Sequence, residues 1–395
     1  MRCTPLINLL FSICVIVLLI GCSRNSENTL AATYPAVTAA FGAAIDPSNL
    51  PNYANQTRPG YIVKDNTNGN NITNAKATLG RVLFYDKNLS TNNTVSCGSC
   101  HKQALAFGDN VQASIGANGN TDRHAMRLVN ARFATELKFF WDERAASLEV
   151  QTTQPIQNHA EMGFSGLNGA PGLSTLLTKL QGIGYYNELF TMAYGNATVT
   201  ESRMQECLSQ FVRSIQSFDS KYDAGRALAA NDNATFANFT AQENLGKQLF
   251  LTEAQFNANG ERISGGANCN ICHRAPEFDI DPSSRNNGTI GTIAGGRDVT
   301  VTRAPSLRDV VKADGSANGP FMHNGASFNL VTVTEHYNQI NLAGNTNLDP
   351  RLAPGGMGQK LLLTQAEKDA LVAFIRTLAG SNVYTDAKWS NPFPN

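Results

Sequence analysis

Apolar residues recur along this chain at the three- and four-residue spacing of amphipathic helices, and strand-like alternation is sparse. One such stripe consists of Met204, Cys207, Leu208, Phe211, Val212 and Ile215. A second stripe, near the C-terminus, consists of Leu371, Phe374, Ile375 and Leu378. Each stripe is wide enough to bury one face of a helix. The pattern predicts a mainly α fold with long loops.

Two Thr-x-x-Glu sequences predict where helices begin. Thr240 with Glu243, and Thr364 with Glu367, have the spacing of a capping box, in which each side chain accepts a backbone N–H of the other residue. Gly380 follows the second of these helices and is typical of a helix end.

The chain also repeats itself loosely. Residues 79–84 (LGRVLF) match residues 245–250 (LGKQLF), and a Cys-x-x-Cys-His sequence follows each block. Two copies of one helical unit explain this more simply than one large domain. We therefore expect an N-terminal helical domain at residues 73–235 and a C-terminal helical domain at residues 236–395.

The N-terminus has the features of an export signal. Arg2 precedes an apolar run, Leu6–Ile20, that is too short for a membrane span. The run ends at Cys22 in a sequence that resembles a bacterial lipobox, whose cysteine carries lipid after cleavage. An ordinary signal peptide with a chance cysteine is the alternative. We predict a lipoprotein signal at residues 1–22, a membrane anchor through Cys22, and a polar tether at residues 23–72.

Charge and cysteine content narrow the class of protein. The 31 basic and 31 acidic residues give no net charge, so we expect no nucleic-acid partner. Of the eight cysteines, Cys3 and Cys14 lie in the leader and Cys22 is the predicted lipid site. Four more belong to the Cys-x-x-Cys-His sequences, so no pair remains for a structural disulfide. Cys207 is left over, and its apolar stripe predicts a buried core thiol.

The strongest chemical signal is the pair of Cys-x-x-Cys-His sequences at residues 97–101 and 269–273. This spacing attaches a c-type haem, because two thiols one helical turn apart reach its two vinyl groups and the adjacent His binds the iron. A zinc site or a redox dithiol is the alternative for a single copy. Two copies in an exported chain favour haem. We predict two covalent c-type haems, held by Cys97, Cys100, His101, Cys269, Cys272 and His273.

Five segments, in order along residues 75–380, resemble the dihaem cytochrome c peroxidase/MauG family. They are Leu79–Ser90 (LGRVLFYDKNLS), Phe140–Arg144 (FWDER), Gln151–Gly163 (QTTQPIQNHAEMG), Arg303–Arg308 (RAPSLR) and Gly319–Gly325 (GPFMHNG). Glu143 replaces the glycine of the family's F-W-D-G-R segment. The resemblance implies two cytochrome c-like domains, with peroxide reacting at the N-terminal haem and electrons entering at the C-terminal haem.

The resemblance also places Gln151 and Glu161 in the pocket where peroxide reacts, and Trp141 between the haems. The chemistry agrees, because cleavage of the O–O bond requires a proton to pass from the inner to the outer oxygen. A carboxylate can carry that proton while an amide holds the peroxide. From the residues alone, Gln151 and Glu161 would be surface polar groups and Trp141 a core aromatic.

The loop after the first haem sequence departs from the better-known peroxidases. Residues 107–122 contain no histidine for the distal position. Either the first haem is open, as in MauG, or His124 gates it. His124 also stands where relatives have an asparagine that helps to hold an inter-haem calcium, which puts that calcium in question. A hydrogen-bonding role between the haems, an exposed loop position and a haem ligand are the three alternatives for His124.

The distal ligand of the second haem varies between Met and Tyr in this family. Tyr337, 14 residues after His323, occupies that position. A phenolate lowers the reduction potential of the iron, whereas a thioether raises it. Met322 and His336 are competing ligands, and the alternative leaves Tyr337 as a packed helix aromatic. We expect His323 to serve a haem propionate or carry protons, and His159 to be a loop residue.

The resemblance implies a cytochrome c peroxidase that reduces hydrogen peroxide with electrons from a small periplasmic cytochrome c or cupredoxin. A MauG-like oxidase acting on residues of a partner protein is the second hypothesis, and a non-catalytic dihaem electron carrier is the third. We expect a periplasm-facing, lipid-anchored protein. Ser23, in place of the Asp that retains some lipoproteins in the inner membrane, favours the outer membrane. A homodimer is compatible with the sequence.

Overall fold

A computed structural model describes residues 33–280 and 282–394, so the predicted signal at residues 1–22 and the lipid site at Cys22 lie outside the described residues. Helices are the main regular secondary structure of this part of the chain, which confirms the prediction of a mainly α fold with long loops. They are α1 (Pro35–Phe41), α2 (Asn74–Tyr85), α3 (Cys97–Cys100), α4 (Leu148–Gln157), α5 (Leu173–Gln181), α6 (Gly184–Tyr194), α7 (Glu201–Ser214), α8 (Lys221–Leu228), α9 (Ala241–Leu251), α10 (Leu330–Asn338) and α11 (Gln365–Arg376).

The strands of the described region are short and form two antiparallel pairs. β1 (Ala254–Phe256) pairs with β2 (Arg262–Gly265), with a register shift inside β1. β3 (His273–Arg274) pairs with β4 (Asp279–Ile280). Across residues 33–280 and 282–394, no helix has both the length and the apolar character that a bilayer crossing requires.

Two helix pairs of the same design organise the two halves: α2 packs on α7, and α9 packs on α11. At each crossing a glycine of the first helix lies against the backbone of the second. A Cβ on Gly80 would lie 2.0 Å from the carbonyl oxygen of Cys207, and a Cβ on Gly246 would lie 1.8 Å from that of Ala370. No side chain fits at either position, which explains why the Leu-Gly sequence recurs in both halves.

The predicted helix starts are confirmed. Glu243 accepts from the backbone N–H of Thr240 at 2.6 Å, and the Thr240 hydroxyl accepts from that of Glu243 at 3.2 Å. Thr364 and Glu367 make the same reciprocal pair at 2.8 and 3.3 Å. Both α9 and α11 therefore begin where local sequence satisfies their first N–H groups.

Two hydrophobic clusters lie on these helix pairs. The first is built mainly from residues 37–215 and contains the fully buried Cys207, which confirms its prediction as a core thiol. The second begins at Tyr222 and ends at Leu378. The domain division at residue 235 stays a prediction, and the second cluster starts before it.

The segment at residues 35–66 differs from the predicted tether. Val37 and Tyr53 are fully buried in the first cluster. The backbone N–H groups of Ala36 and Val37 donate to the Glu188 carboxylate at 3.0 and 2.9 Å. The prediction failed here because a few widely spaced apolar residues anchor a segment whose composition is mostly polar.

The C-terminal tail returns to the first half of the molecule. Trp389 is 2% exposed in the first cluster, and its Nε1 donates to the Ser214 hydroxyl at 3.3 Å. The Tyr85 hydroxyl donates to the carbonyl oxygen of Trp389 at 2.7 Å. The end of the predicted C-terminal domain therefore packs on helices of the N-terminal half.

Candidate active site

The first Cys-x-x-Cys-His sequence begins with the one-turn helix α3. This turn packs tightly on α2, since a Cβ on Gly98 would lie 2.5 Å from the Tyr85 ring. His101 Nδ1 lies 3.2 Å from the carbonyl oxygen of Phe107. A carbonyl oxygen only accepts, so Nδ1 carries the proton and Nε2 is left to bind a metal. This orientation suits an iron ligand.

The second Cys-x-x-Cys-His sequence forms a 3₁₀ turn at Cys269–Ile271 that leads into β3. Burial raises the pKa of the Cys269 thiol to about 12, with the neighbouring Cys272 adding to the effect. Burial lowers the pKa of His273 to about 4. The turn therefore presents two thiols beside a neutral imidazole, the form of histidine that binds metals.

A cavity in the first half brings together most of the residues predicted for peroxide chemistry. It encloses about 2250 Å³ of empty space, including its mouth. Cys97 packs against the hydrophobic core beside it. The predicted residues in the cavity wall are Cys100, His101, Trp141, Gln151 and Glu161.

A second cavity, of about 1600 Å³ with its mouth, contains the residues predicted for the second haem. Its wall includes Cys269, Cys272, His273, Met322 and Tyr337. The Tyr337 hydroxyl accepts a hydrogen bond from Asn287 Nδ2 at 3.1 Å. His336 Nε2 instead donates to the carbonyl oxygen of Asn287 at 2.8 Å. This geometry favours Tyr337 and Met322 over His336 as groups that face the cavity.

Trp141 lies in the walls of both cavities. Its Nε1 donates to the carbonyl oxygen of His124 at 2.8 Å. Its own carbonyl oxygen accepts from the backbone N–H groups of Thr302 and Arg303 at 2.9 and 3.0 Å. The backbone of Trp141 is therefore held by the second half of the chain and its indole by the first, at the boundary between the two cavities.

His124 is buried at the same boundary, with 7% of its surface exposed, so the exposed-loop alternative is wrong. Its Nδ1 lies 2.9 Å from the carbonyl oxygen of Val111 and donates to it. Its backbone N–H donates to the carbonyl oxygen of His323 at 2.7 Å. Burial lowers the pKa of His124 to about 4. These contacts favour the hydrogen-bonding role between the two sites.

Glu161 is positioned by its backbone. Asn158, which ends α4, accepts the backbone N–H of Glu161 at 3.3 Å through its side-chain oxygen. The backbone N–H of Ala117 donates to the Glu161 carbonyl oxygen at 2.6 Å. A Cβ on Gly116 would lie 2.2 Å from the carbonyl oxygen of Ala160, so the loop approaches this closely only with glycine. Contacts from Asn158 and from the loop at residues 116–117 therefore fix the backbone position from which the Glu161 side chain extends.

The environment of Glu161 changes its acidity. The pKa of its carboxyl is raised to about 7, mainly by burial and in smaller part by the charge of Asp122, with Arg144 acting in the opposite direction. A carboxyl with this pKa exists in both protonation states at neutral pH, which is the condition for proton exchange with a substrate. The cavity therefore contains a group suited to general acid–base chemistry.

Gln151 reaches the first cavity from α4. Ser147 begins this helix by accepting the backbone N–H of Val150 at 3.3 Å. Pro155 lies inside the helix four residues after Gln151 and removes the N–H that would bond to the Gln151 carbonyl. Gln151 therefore lies on α4 itself, and Glu161 lies in the turn that follows the end of this helix.

Sequence reasoning gave no role to two arginines in the walls of both cavities, Arg127 and Arg303. Each donates to a backbone carbonyl, of Asn318 and Lys138 respectively. Nearby, His323 is 2% exposed, and its Nε2 has no hydrogen-bond partner among the described residues. One buried and one half-buried cation beside an unpartnered imidazole fit an occupant with anionic groups, such as the propionates of haem. Only the long-range fold brings them together, so no local signal revealed them.

Glu143, at the family's glycine position, has a φ of +55°, a backbone conformation that glycine adopts without strain. Burial raises the pKa of its carboxyl to about 7, Glu136 adds to the shift, and Arg303 opposes it.

His159 is an exposed loop residue, as expected. The described residues contain no cluster of three or more His, Cys, Asp or Glu arranged for a metal ion, and the inter-haem calcium stays a prediction.

Several known proteins are similar to this chain in sequence and in fold. The di-haem cytochrome c peroxidase family model matches residues 74–231. The chain is 30% identical over 347 residues to the methylamine utilization protein MauG of Methylophilus methylotrophus, covering 84% of this chain and 90% of that relative. It is 27% identical over 317 residues to the cytochrome c551 peroxidase of Pseudomonas aeruginosa, covering 79% of this chain and 81% of that relative.

Solved structures agree with the sequence comparisons. A MauG-like protein associated with microbial copper homeostasis superposes with a TM-score of 0.64 at 27% identity, covering 86% of this chain and 99% of that protein. The diheme peroxidase BthA of Burkholderia thailandensis superposes with a TM-score of 0.59 at 21% identity, covering 86% of this chain and 90% of BthA, which supports the fold alone. The resemblance seen in the sequence is confirmed: the chain belongs to the dihaem cytochrome c peroxidase/MauG family of haem-dependent oxidoreductases.

Proposed function

We propose that the chain is a cytochrome c peroxidase, which reduces hydrogen peroxide to water with electrons from a small periplasmic cytochrome c or cupredoxin. Each peroxide consumes two electrons and two protons and yields two waters. The observation that carries the proposal is the wall of the first cavity, where Gln151 and Glu161 face the same space as His101. Relatives named as peroxidases add support.

Two haems fit the residues of the two cavities. Cys97, Cys100 and His101 would hold one covalently, and Cys269, Cys272 and His273 the other, with Tyr337 as a further ligand at the second site. The oriented His101, the neutral His273 and the cationic wall between the cavities support this fit. When bound, the haems supply the iron that exchanges electrons with peroxide and with the donor.

Glu161 would carry the peroxide proton. With a pKa of about 7, its carboxylate can take the proton from the inner oxygen of the peroxide and return it to the outer oxygen, which then leaves as water. A carboxylate with an ordinary, lower pKa would be a weaker base and would take the peroxide proton less readily. Burial of this side chain is therefore part of its chemistry.

Gln151 would hold the peroxide in place for that transfer. Its amide offers two donor hydrogens and one acceptor oxygen, so it can bond to both oxygens of the substrate without exchanging a proton. Trp141, fixed between the cavities, would connect the peroxide site to the electron-entry site. These roles divide the chain into a peroxidatic domain at residues 73–235 and an electron-transfer domain at residues 236–395.

Two further proposals concern the location of the protein and an alternative function. A lipid at Cys22 would anchor it facing the periplasm, in the outer membrane, where a small electron donor diffuses past. A MauG-like oxidase is the second candidate function, and Tyr337 in the second cavity favours it together with the relatives named MauG. Such an enzyme would withdraw electrons from residues of a partner protein.

Steady-state oxidation of a reduced small cytochrome c by hydrogen peroxide tests the proposal. We expect two donor molecules oxidised per peroxide, at a rate proportional to the amount of the protein. A wild-type protein with both haems and no peroxide reaction would overturn the proposal and place the electron carrier first. Peroxide-dependent oxidation of a partner protein, with slow oxidation of the small donor, would favour the MauG-like function.

A further inference from the structure

Asn287 links the two side chains that compete for the second haem site. Its Nδ2 lies 3.1 Å from the Tyr337 hydroxyl oxygen and 3.5 Å from the Met322 sulfur. An amide NH₂ has two hydrogens and only donates, so each of these atoms accepts one hydrogen bond. Both acceptors lie in the wall of the cavity that contains Cys272 and His273. A single amide therefore holds both candidate ligands.

The orientation of this amide is fixed by the backbone around it. Its side-chain oxygen accepts the backbone N–H of Thr289 at 3.0 Å, so the amide cannot turn over without losing that bond. The preceding residue, Asn286, is fully buried and donates to the carbonyl oxygens of Thr289 and Val301 at 3.2 and 3.1 Å. The turn at residues 286–289 is therefore a firm support for Asn287.

The same turn packs on α10, the helix that carries Tyr337. His336 Nε2 donates to the carbonyl oxygen of Asn287 at 2.8 Å. Gly288 has a φ of +95°, and a Cβ at this position would lie 3.2 Å from the His336 ring. Contacts from the turn to the helix therefore fix the distance between the Asn287 amide and Tyr337.

We propose that Asn287 is the positioning residue of the second haem site: it holds Tyr337 as the ligand, keeps Met322 beside it, and raises the reduction potential through its hydrogen bond to the ligand oxygen. A donor to a ligand oxygen withdraws electron density from the metal and so stabilises the reduced form. The inference rests on the proposed function only in requiring a haem at Cys269 and Cys272.

Asn287→Leu in the haem-loaded protein tests the inference, because leucine has a similar size and no donor. We expect the oxidised-to-reduced equilibrium of the second haem to shift about 10–100-fold toward the oxidised form, a fall of about 60–120 mV for one electron. Potentiometric titration with absorption and electron paramagnetic resonance spectra measures this. Asn345→Leu is the matched control, since Asn345 donates to Asn286 at 2.7 Å and belongs to the same network.

An unchanged potential and ligand spectrum in Asn287→Leu would overturn the inference, as would an equal shift in Asn345→Leu. If Asn287→Leu fails to keep its haem, Tyr337→Phe decides, because it leaves Met322 as the remaining acceptor. That variant should show a thioether-type spectrum and a higher potential, both lost when Met322→Leu is added. Identical spectra with and without Met322→Leu would refute the arrangement. A wild type without peroxide turnover that still shows these shifts would refute the peroxidase proposal alone.

Discussion

The carboxyl groups of Glu161 and Asp349 lie in the walls of the first and second cavities, and their environments act in opposite directions. Burial raises the pKa of Glu161 to about 7. Burial acts on Asp349 in the same sense, but hydrogen bonds from Arg351 and from the backbone N–H of Arg285 outweigh it and hold the pKa of Asp349 below its usual range. At neutral pH the Glu161 carboxyl is therefore partly protonated, whereas Asp349 stays ionised.

The acidities of these two carboxyl groups differ although the two halves share their helical scaffold. The same glycine contact joins α2 to α7 and α9 to α11, at Gly80 and Gly246. The differences lie in what surrounds the cavities: a loop at residues 116–118 positions Glu161, whereas the turn at residues 286–289 positions the amide beside Tyr337. The scaffold is common to both halves, and under the proposed function the surrounding loops would assign proton chemistry to one cavity and electron entry to the other.

Loss of a haem is the largest effect that separates the two halves. Cys97→Ala with Cys100→Ala should leave one covalent haem per chain and abolish peroxide turnover. Cys269→Ala with Cys272→Ala should also leave one haem, and turnover with the donor should stop in this variant as well, because electron uptake is lost. Denaturing gels with haem staining, together with mass spectrometry, count the haems. A wild-type chain with a single covalent haem would contradict the two-site architecture.

Removing the proton carrier of the first cavity comes next. Glu161→Gln keeps the size of the side chain but cannot transfer a proton, so peroxide turnover should fall about 10²–10⁴-fold, or about 3–5 kcal/mol of activation free energy. Gln151→Ala should cost less, because it loses only positioning. Reduction of the second haem by the donor should be unchanged in both. Glu253→Gln, at an exposed position, is the control. Near wild-type turnover in Glu161→Gln would contradict the proposed role of Glu161 in proton transfer.

The pH dependence of turnover distinguishes the two carboxyl groups. Glu161 accepts a proton only when ionised, so kcat/KM for peroxide should fall about tenfold per pH unit below its pKa of about 7. Asp349 has a lowered pKa and should contribute no change in this range. The acid limb should therefore disappear in Glu161→Gln. Its persistence in that variant would assign the limb to another group.

Much of the fold could be predicted because its signals are local. The Cys-x-x-Cys-His spacing and the capping boxes at Thr240 and Thr364 each depend on residues within about one helical turn, and the stripe around Cys207 lies along a single helix. The docking of residues 35–66 was missed because its anchors are few and its contacts, such as those to Glu188, lie far away in sequence.

The candidate site shows the same division between local and long-range signals. Family segments pointed to Gln151, Glu161 and Trp141, and the structure places all three in one cavity wall. Asn287 and Arg127 had no such signal, because an asparagine in a turn or an arginine in a loop is common. Their roles follow from the groups that they contact after folding, such as the Tyr337 hydroxyl at 3.1 Å from the Asn287 amide.

The smallest effect on peroxide turnover is expected from substitutions at the two helix crossings that the halves share. Gly80→Ala and Gly246→Ala each force a methyl group to within about 2 Å of a helix carbonyl, and such overpacking typically costs about 1–3 kcal/mol of unfolding free energy. Because the two contacts have the same geometry, the two variants should lower the thermal midpoint by similar amounts, whereas the acid limb of turnover stays near pH 7. Gly60→Ala is the control, since a Cβ there meets nothing within 4 Å. A large loss in one variant and none in the other would mean that the halves share a sequence pattern without sharing the packing that explains it.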